Sequence, residues 1–433
     1  MTPLTVGVIG ICVLLVLLFS RMPIGFVMAL VGFAGFAYLT SFDAGFGVLR
    51  TVAYSTFADY NLSVIPLFIL MGSFCFFAGL SKDLYDAVHS WLGQLRGGLA
   101  MATVGACAGF AAISGSSLAT AATMGTVALP EMRRYKYDDR LATGAVAAGG
   151  TIGILIPPSV ILILYGIITE QSIGKLFLAG FIPGVLEAVF YIITIYILCK
   201  INPLLGPPGP KTSLLVKITA LKGTWIVLAL FILVIGGIYL GVFSPTEAAG
   251  VGAFGAFLFG LARRRLGWKA LKNSLGDTGK TTAMIFIILL GAMVLGYFLA
   301  VSRIPFVLAD IVGALPVNRY VILVLILVVY ILLGCVMDSM AIMLLITPIF
   351  FPLVVSLGFN PIWFGILITR MTEIGLITPP VGLNVFVIQG VAKDVPMQTI
   401  FRGIVPFLIA DLCEVALLIA VPQLSLFLPG FMK

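Results

Sequence analysis

T-I-G-I-L-I-P-P at residues 151–158 and E-I-G-L-I-T-P-P at residues 373–380 stand 222 positions apart and read almost alike. Each sets a Gly ahead of a Pro-Pro pair inside an otherwise apolar stretch. Proline lacks a backbone N–H and clashes with the preceding helical turn, so each stretch predicts a helix that breaks. At membrane depth such a break is tolerated only where protein or a water-filled cavity satisfies the freed backbone groups. A matched pair of interrupted hydrophobic segments, one per half, points to a binding site near the bilayer midplane.

The rest of the chain supports a membrane setting. Of 433 residues, 61% are hydrophobic and 10% charged, and the mean hydropathy is +1.20. Soluble domains run at roughly 45–50% apolar and about 25% charged. Apolar runs at 4–20, 22–40, 62–80, 176–199, 224–242, 281–301 and 403–421 are each long enough to cross a bilayer core. The chain is therefore read as an all-α polytopic membrane protein. No Lys or Arg precedes the first run, and Arg21 follows it, so this run reads as a span rather than a cleaved signal. Cys12, Cys75, Cys107, Cys199, Cys335 and Cys413 lie in apolar stretches without a C-x-x-C, as small buried hydrophobes do.

The repeat extends beyond the breaks. At the same spacing Pro23 matches Pro245, Pro130 matches Pro352, and Ser116-Ser117 matches Asp338-Ser339. Residues 1–200 and 223–433 read as two copies of one unit, joined by a Pro/Gly-rich basic linker at 201–222. In the first copy, about 97–130 is apolar but rich in small residues around I-S-G-S-S, and suits a re-entrant hairpin. A broken helix follows at about 139–168. The second copy repeats this form, with a hairpin at about 320–357 around M-D-S-M and a broken helix at about 362–391. Five crossings plus a hairpin is an odd number, so the second copy is expected to be inverted relative to the first.

Charge tests that count. Arg50, Lys175, Arg303, Arg319 and Lys433 fall on one side, Arg370 lies within the membrane, and the other 19 of the 25 Lys and Arg residues fall on the opposite side. The positive-inside bias then places both termini outside the cytoplasm, and it accounts for the net charge of +8 without a nucleic-acid partner. Stretches 81–96 and 302–314 read as amphipathic arms at the interface, with Trp91 and Trp363 as interfacial anchors.

Chemistry is expected where tips and breaks meet. Helix C-termini present carbonyls suited to Na⁺, and N-termini present N–H groups suited to an anion. One cation site is expected among Ser114, Gly115, Ser116, Gly150 and Gly153, and a second among Met337, Asp338, Thr372, Glu373 and Gly375. An anionic substrate is expected between the two tips near Ser117, Pro158, Ser339, Thr378 and Pro380. Arg370 would be its carboxylate anchor, since its planar fork fits a carboxylate. The blander alternatives are close helix packing at the small residues and an i,i+3 ion pair between Arg370 and Glu373. Glu187, Glu247, Asp411 and Glu414 read as capping or helix-bridging groups. There is no G-x-x-x-x-G-K-[ST] phosphate loop and no H-E-x-x-H, and His89 is the single histidine, so neither an ATP-driven pump nor a zinc or His-based enzyme is expected.

A-A-I-S-G-S-S-L-A-T-A-A-T-M-G-T-V-A-L-P-E-M (111–132), A-A-G-G-T-I-G-I-L-I-P-P-S (147–159), L-F-L-A-G-F-I-P-G (176–184) and E-I-G-L-I-T-P-P-V-G-L-N-V-F-V (373–387) closely resemble the large membrane subunit of TRAP transporters, the DctM type. The resemblance covers essentially the whole chain. It implies Na⁺-driven uptake of an organic acid anion across a bacterial or archaeal inner membrane by an elevator movement, with no cofactor beyond the coupling ion. It also implies a small four-helix membrane subunit, expected here as a separate chain, and a periplasmic substrate-binding protein. The alternative is a stand-alone ion-coupled carboxylate symporter or antiporter of similar fold.

Overall fold

Two Gly/Pro-Pro segments, several tip glycines and long apolar runs resolve into a chain whose regular structure, among the described residues, is all helical. The computed structural model describes every residue except Arg21, Pro210, Lys211, Ala314, Leu315 and Lys433. The side assignments of Arg21, Lys211 and Lys433 therefore lie outside the described residues, as does the last residue of the 302–314 arm.

The first half runs α1 (Pro3–Phe19), α2 (Ile24–Leu39), α3 (Phe42–Ala58), α4 (Val64–Phe77), α5 (Leu80–Leu92), α6 (Gly98–Ser114), α7 (Ser117–Arg134), α8 (Asp139–Thr151), α9 (Val160–Thr169) and α10 (Ile173–Ile201). The second runs α11 (Leu214–Phe231), α12 (Gly237–Tyr239), α13 (Pro245–Ala262), α14 (Trp268–Ser302), α15 (Ile304–Gly313), α16 (Arg319–Gly334), α17 (Ser339–Ser356), α18 (Pro361–Ile377), α19 (Leu383–Val391), α20 (Met397–Ala420) and α21 (Gln423–Leu426). A π-helical turn, Ile232–Gly236, joins α11 to α12. Among the described residues, seven helical segments are long and apolar enough to cross a membrane: Tyr60–Phe77, Ile173–Ile201, Leu214–Tyr239, Pro245–Ala262, Trp268–Ser302, Ser339–Ser356 and Met397–Ala420. The shorter apolar helices α1 and α2 have 17 and 16 residues.

Two elements depart from the expectations. α3 falls outside every expected span. Its sequence is only mildly apolar, and it is started by Ser41, whose hydroxyl accepts from Ala44 N at 3.2 Å, with Asp43 in the first turn. The linker is also shorter than expected. Ser213 caps α11 by accepting from Val216 N, so helix already occupies 214–222. Helices form at both expected arm positions, as α5 and α15. Asp83 on α5 accepts from Arg263 Nη1 at 2.7 Å and Arg265 Nη1 at 2.8 Å, which ties that arm to the end of α13. Trp363 is not an interfacial anchor. It is buried, and its indole N–H donates to Leu418 O at 2.9 Å. Cys75, Cys107, Cys199 and Cys335 are buried as expected, while Cys12 and Cys413 are exposed, and all six are free.

The halves interlock rather than sit side by side. α2 and α4 pack on α14, α8 packs on α20, and α10 packs on α20. The second arm of each helix pair reaches across, α7 against α19 and α17 against α9. Apolar chains gain little from mutual burial in lipid, so close backbone approach at small residues carries such crossings. A methyl group on Gly144 would lie 2.4 Å from Gly403 O, and one on Gly291 would lie 2.2 Å from Gly25 O. Gly296, on the same helix as Gly291, has nothing within 4 Å of its methyl position. Gly291→Ala should cost about 1–3 kcal/mol through overpacking, and Gly296→Ala should be neutral or slightly stabilising. Thermal unfolding of the two variants in one detergent checks the contrast, and equal unfolding temperatures would refute the α2–α14 contact.

Candidate functional site

Each helix pair ends in a tip that rests on a break. α6 stops at Ser114 because Gly115 takes the left-handed conformation (φ +59°), and Ser116 then caps α7 by accepting from Ala119 N. Ser114 Oγ and Thr120 Oγ1 are 2.8 Å apart, and Thr120 Oγ1 donates to Ser116 O at 2.8 Å. The first break spans the end of α8 to the start of α9, where Ser159 caps α9. A methyl on Gly115 would lie 3.0 Å from Pro158 O, one on Gly150 would lie 3.2 Å from Ser117 O, and one on Gly153 would lie 3.5 Å from Ser116 O. The five residues expected at the first cation site are thus neighbours.

The second half repeats this by different means. Asp338 caps α17, accepting from Met340 N at 3.1 Å. α18 ends at Ile377, where the Thr378 hydroxyl turns back to donate to Ile374 O at 2.6 Å. Gly382 N donates to Cys335 O at 3.2 Å, so the chain after the second Pro-Pro pair is bonded to the second tip. A methyl on Gly375 would lie 2.5 Å from Gly334 Cα, and one on Gly334 would lie 2.9 Å from Thr372 O. Met337, Asp338, Thr372, Glu373 and Gly375 therefore share one region as well.

Between the tips lies Glu373. Ser117 Oγ donates to Glu373 Oε2, and Ser339 Oγ donates to Oε1 at 2.8 Å. All three side chains are buried. At the expected anion seat, Ser117 and Ser339 thus donate to a carboxyl group of the protein itself. Pro158 is buried too, while Pro380 is exposed and Thr378 half-buried.

Arg370 is placed differently from both expectations for it. It does not pair with Glu373, and it does not face an open seat. Its Nη1 stands 2.8 Å from Glu187 Oε1, its Nε donates to Glu414 Oε2 at 2.9 Å, and its Nη2 donates to Asp411 Oδ1 and, at 3.3 Å, to Tyr191 OH. Thr151, at the first break, donates to Glu187 Oε1 at 2.8 Å. Every member of this knot is buried. An added substrate anion would meet three carboxyl groups here. The i,i+3 spacing to Glu373 gave no hint of this, because the partners come from α10 and α20. The bridging role expected of Glu187, Asp411 and Glu414 is what the structure shows. Glu247 caps α13 in a reciprocal capping box with Ser244.

Two cavities of about 350 Å³ flank the tips. One is lined by Ser114, Gly115 and Ser116 of the first tip, Met340 of α17, and Ser73, Phe76, Asp277 and Thr281 of α4 and α14. The other lies between α1 and the second tip, where Asp338 joins Leu15, Phe19 and Met337. Asp277 and Thr281 were not anticipated. Their only sequence signal is the polar stretch D-T-G-K-T-T (277–282) within an otherwise long apolar helix.

A model of the family described as "Tripartite ATP-independent periplasmic transporter, DctM component" matches residues 11–424. The chain belongs to the DctM family. It is 39% identical over 381 residues to a C4-dicarboxylate TRAP transporter large permease protein from Pseudomonas aeruginosa, covering 88% of each chain. It is 34% identical to a sialic acid TRAP transporter large permease protein from Vibrio cholerae, over 95% of this chain and 96% of that one. Among solved structures, the YdaH transporter of Alcanivorax borkumensis shares the fold, with TM-score 0.57 at 16% identity over 87% of this chain and 88% of that one. The DctM-family relatives are transport permeases, so this multi-pass membrane protein is a transporter subunit and not an enzyme.

For this DctM-family chain the knot changes the outcome expected for Arg370. Lys offers one ammonium where Arg370 serves three carboxyl groups through a planar fork. Breaking a buried pair leaves uncompensated charge and costs about 3–5 kcal/mol. Arg370→Lys should therefore lower the yield of folded protein and its unfolding temperature before any transport is measured. A variant with unchanged unfolding temperature and selectively lost transport would restore the substrate-anchor role.

Proposed function

We propose that this chain is the large permease subunit of a Na⁺-coupled TRAP transporter that takes up an organic acid anion by an elevator movement. In this reading residues 1–200 and 223–433 are inverted repeats, and α6–α7 and α16–α17 are re-entrant hairpins opening to opposite sides. α8–α9 and α18–α19 are the broken helices, and with the hairpins they form the mobile core. The remaining helices and a small four-helix subunit form the scaffold. The termini lie on the periplasmic side of an inner membrane, and a periplasmic binding protein delivers the solute.

The observation that carries this reading is the contact of each tip with the break of its own half. Na⁺ suits the carbonyls and hydroxyls gathered at Ser114, Gly115, Ser116, Gly150 and Gly153, and those at Met337, Asp338, Thr372, Glu373 and Gly375. For the substrate, the relatives are named for C4-dicarboxylate and sialic acid, which share a carboxylate. The cavity of about 350 Å³ beside the first tip, with the hydroxyls of Ser73, Ser114, Ser116 and Thr281 and the N-terminus of α7, is the seat favoured for such an anion. Thr378 and Pro380 mark the accessible edge of the second break. Arg370 is a structural group in this account.

Proteoliposomes holding the chain with its small subunit test the proposal. Uptake of a carboxylate should require both an inward Na⁺ gradient and an added binding protein. Uptake without a binding protein would favour the stand-alone symporter, and no uptake under any gradient with the right partners would refute the function. In the same assay Gly115→Ala forces a side chain into the left-handed region, at a cost of about 1–2 kcal/mol. It should raise the Na⁺ concentration for half-maximal uptake roughly tenfold, and an unchanged Na⁺ dependence would remove the first cation site from this place.

A further inference from the structure

Among the described residues, Glu373 is the one side chain that touches both hairpin tips through hydrogen bonds. Ser117 is the first residue of α7, and Ser339 is the first residue of α17, 222 positions later. These two equivalent hydroxyls donate to the two oxygens of a single carboxyl group. The carboxyl group comes from α18, one turn before the second break, and is fully buried. Among the described residues no cation contacts it. Arg370, three residues earlier on the same helix, is turned to Glu187, Asp411 and Glu414. A buried carboxyl group depends on the donors it has. Loss of either serine contact leaves an oxygen orphaned, so neither tip can leave the position of Glu373 without a penalty.

We infer that Glu373 is the positioning residue through which the two hairpin tips are held at one point and move as one body. The inference rests on the proposed transport reading for its meaning, but its geometry belongs to the tips alone. A carboxyl group does this by accepting from both serines. A Gln side chain of the same length can replace it, because its carbonyl oxygen accepts from one serine and its amide N–H donates to the other. An ion or proton ligand would not be replaced in this way. Glu373→Gln therefore separates a tie from a charge.

The test is amide hydrogen exchange of the purified full chain, read by mass spectrometry at residues 114–118 and 335–340. Glu373→Ala should speed exchange at both tips together, on the order of tenfold, since each tip loses its bond to the buried carboxyl group. The double variant Ser117→Ala, Ser339→Ala should reproduce this if Glu373→Ala does not fold. Glu373→Gln should stay within about twofold of the unmodified chain. In proteoliposomes Glu373→Ala should admit Na⁺ without substrate, and Glu373→Gln should not. Change at only one tip, or at neither, overturns the inference. So does Glu373→Gln matching Glu373→Ala at an unchanged unfolding temperature, because charge would then be the requirement. The exchange result stands even if the unmodified chain shows no uptake, so failure of this inference and failure of the transport reading are distinguishable.

Discussion

A backbone group freed inside an apolar protein must find a partner, and this constraint shapes the whole chain. The Pro-Pro pairs at 157–158 and 379–380 take donors out of a helix in the middle of the molecule. What covers each break is the tip of its own half, Gly/Ser-rich in the first and built around Met337, Asp338 and Ser339 in the second. Gly115 approaches Pro158 O, and Gly382 N bonds to Cys335 O. The breaks need the tips, and the tips need a second arm that crosses to the other half. The interlocked packing of α7 with α19 and α17 with α9 follows from that need.

Buried charge is handled by the same logic. Four carboxyl groups, Glu187, Glu373, Asp411 and Glu414, lie buried near a single guanidinium. Three of them gather on Arg370 and join α10, α18 and α20, with Thr151 adding the end of α8. Such a knot is costly to desolvate and fixes relative helix positions more than it adds stability. The fourth, Glu373, is held by hydroxyls instead. One group thus ties long helices to each other, and the other ties the tips. In the proposed elevator only Glu373 and the two tips lie wholly within the mobile core, while the knot joins α18 of that core to α10 and α20 of the scaffold.

Much of this was legible in the sequence. The Gly/Pro-Pro pairs gave the breaks to within a turn, the Gly/Ser-rich and M-D-S-M segments gave the tips, and the apolar runs gave the long helices. These signals are local, since proline and glycine act on their own turn. The misses are those that local spacing cannot carry. Arg370 found partners some 180 and 40 positions away rather than three, as Glu187, Asp411 and Glu414 show. Ser117 and Ser339 were singled out as an anion seat, and in the structure both donate to the Glu373 carboxyl group. α3 escaped because its low hydropathy resembles a loop, and only Ser41 and Asp43 mark its start.

The central claim is that the two halves carry the same unit in opposite orientations. It is tested most directly at the bases of the hairpins, with Arg134→Cys at the end of α7 and Ser356→Cys at the end of α17, in a chain whose exposed Cys12 and Cys413 are replaced. An impermeant thiol reagent applied to sealed vesicles of known sidedness should modify Arg134→Cys only from the cytoplasmic face. It should modify Ser356→Cys only from the opposite face. Labelling of both positions from the same face would contradict the inverted arrangement, and with it the account of how tips and breaks form one site.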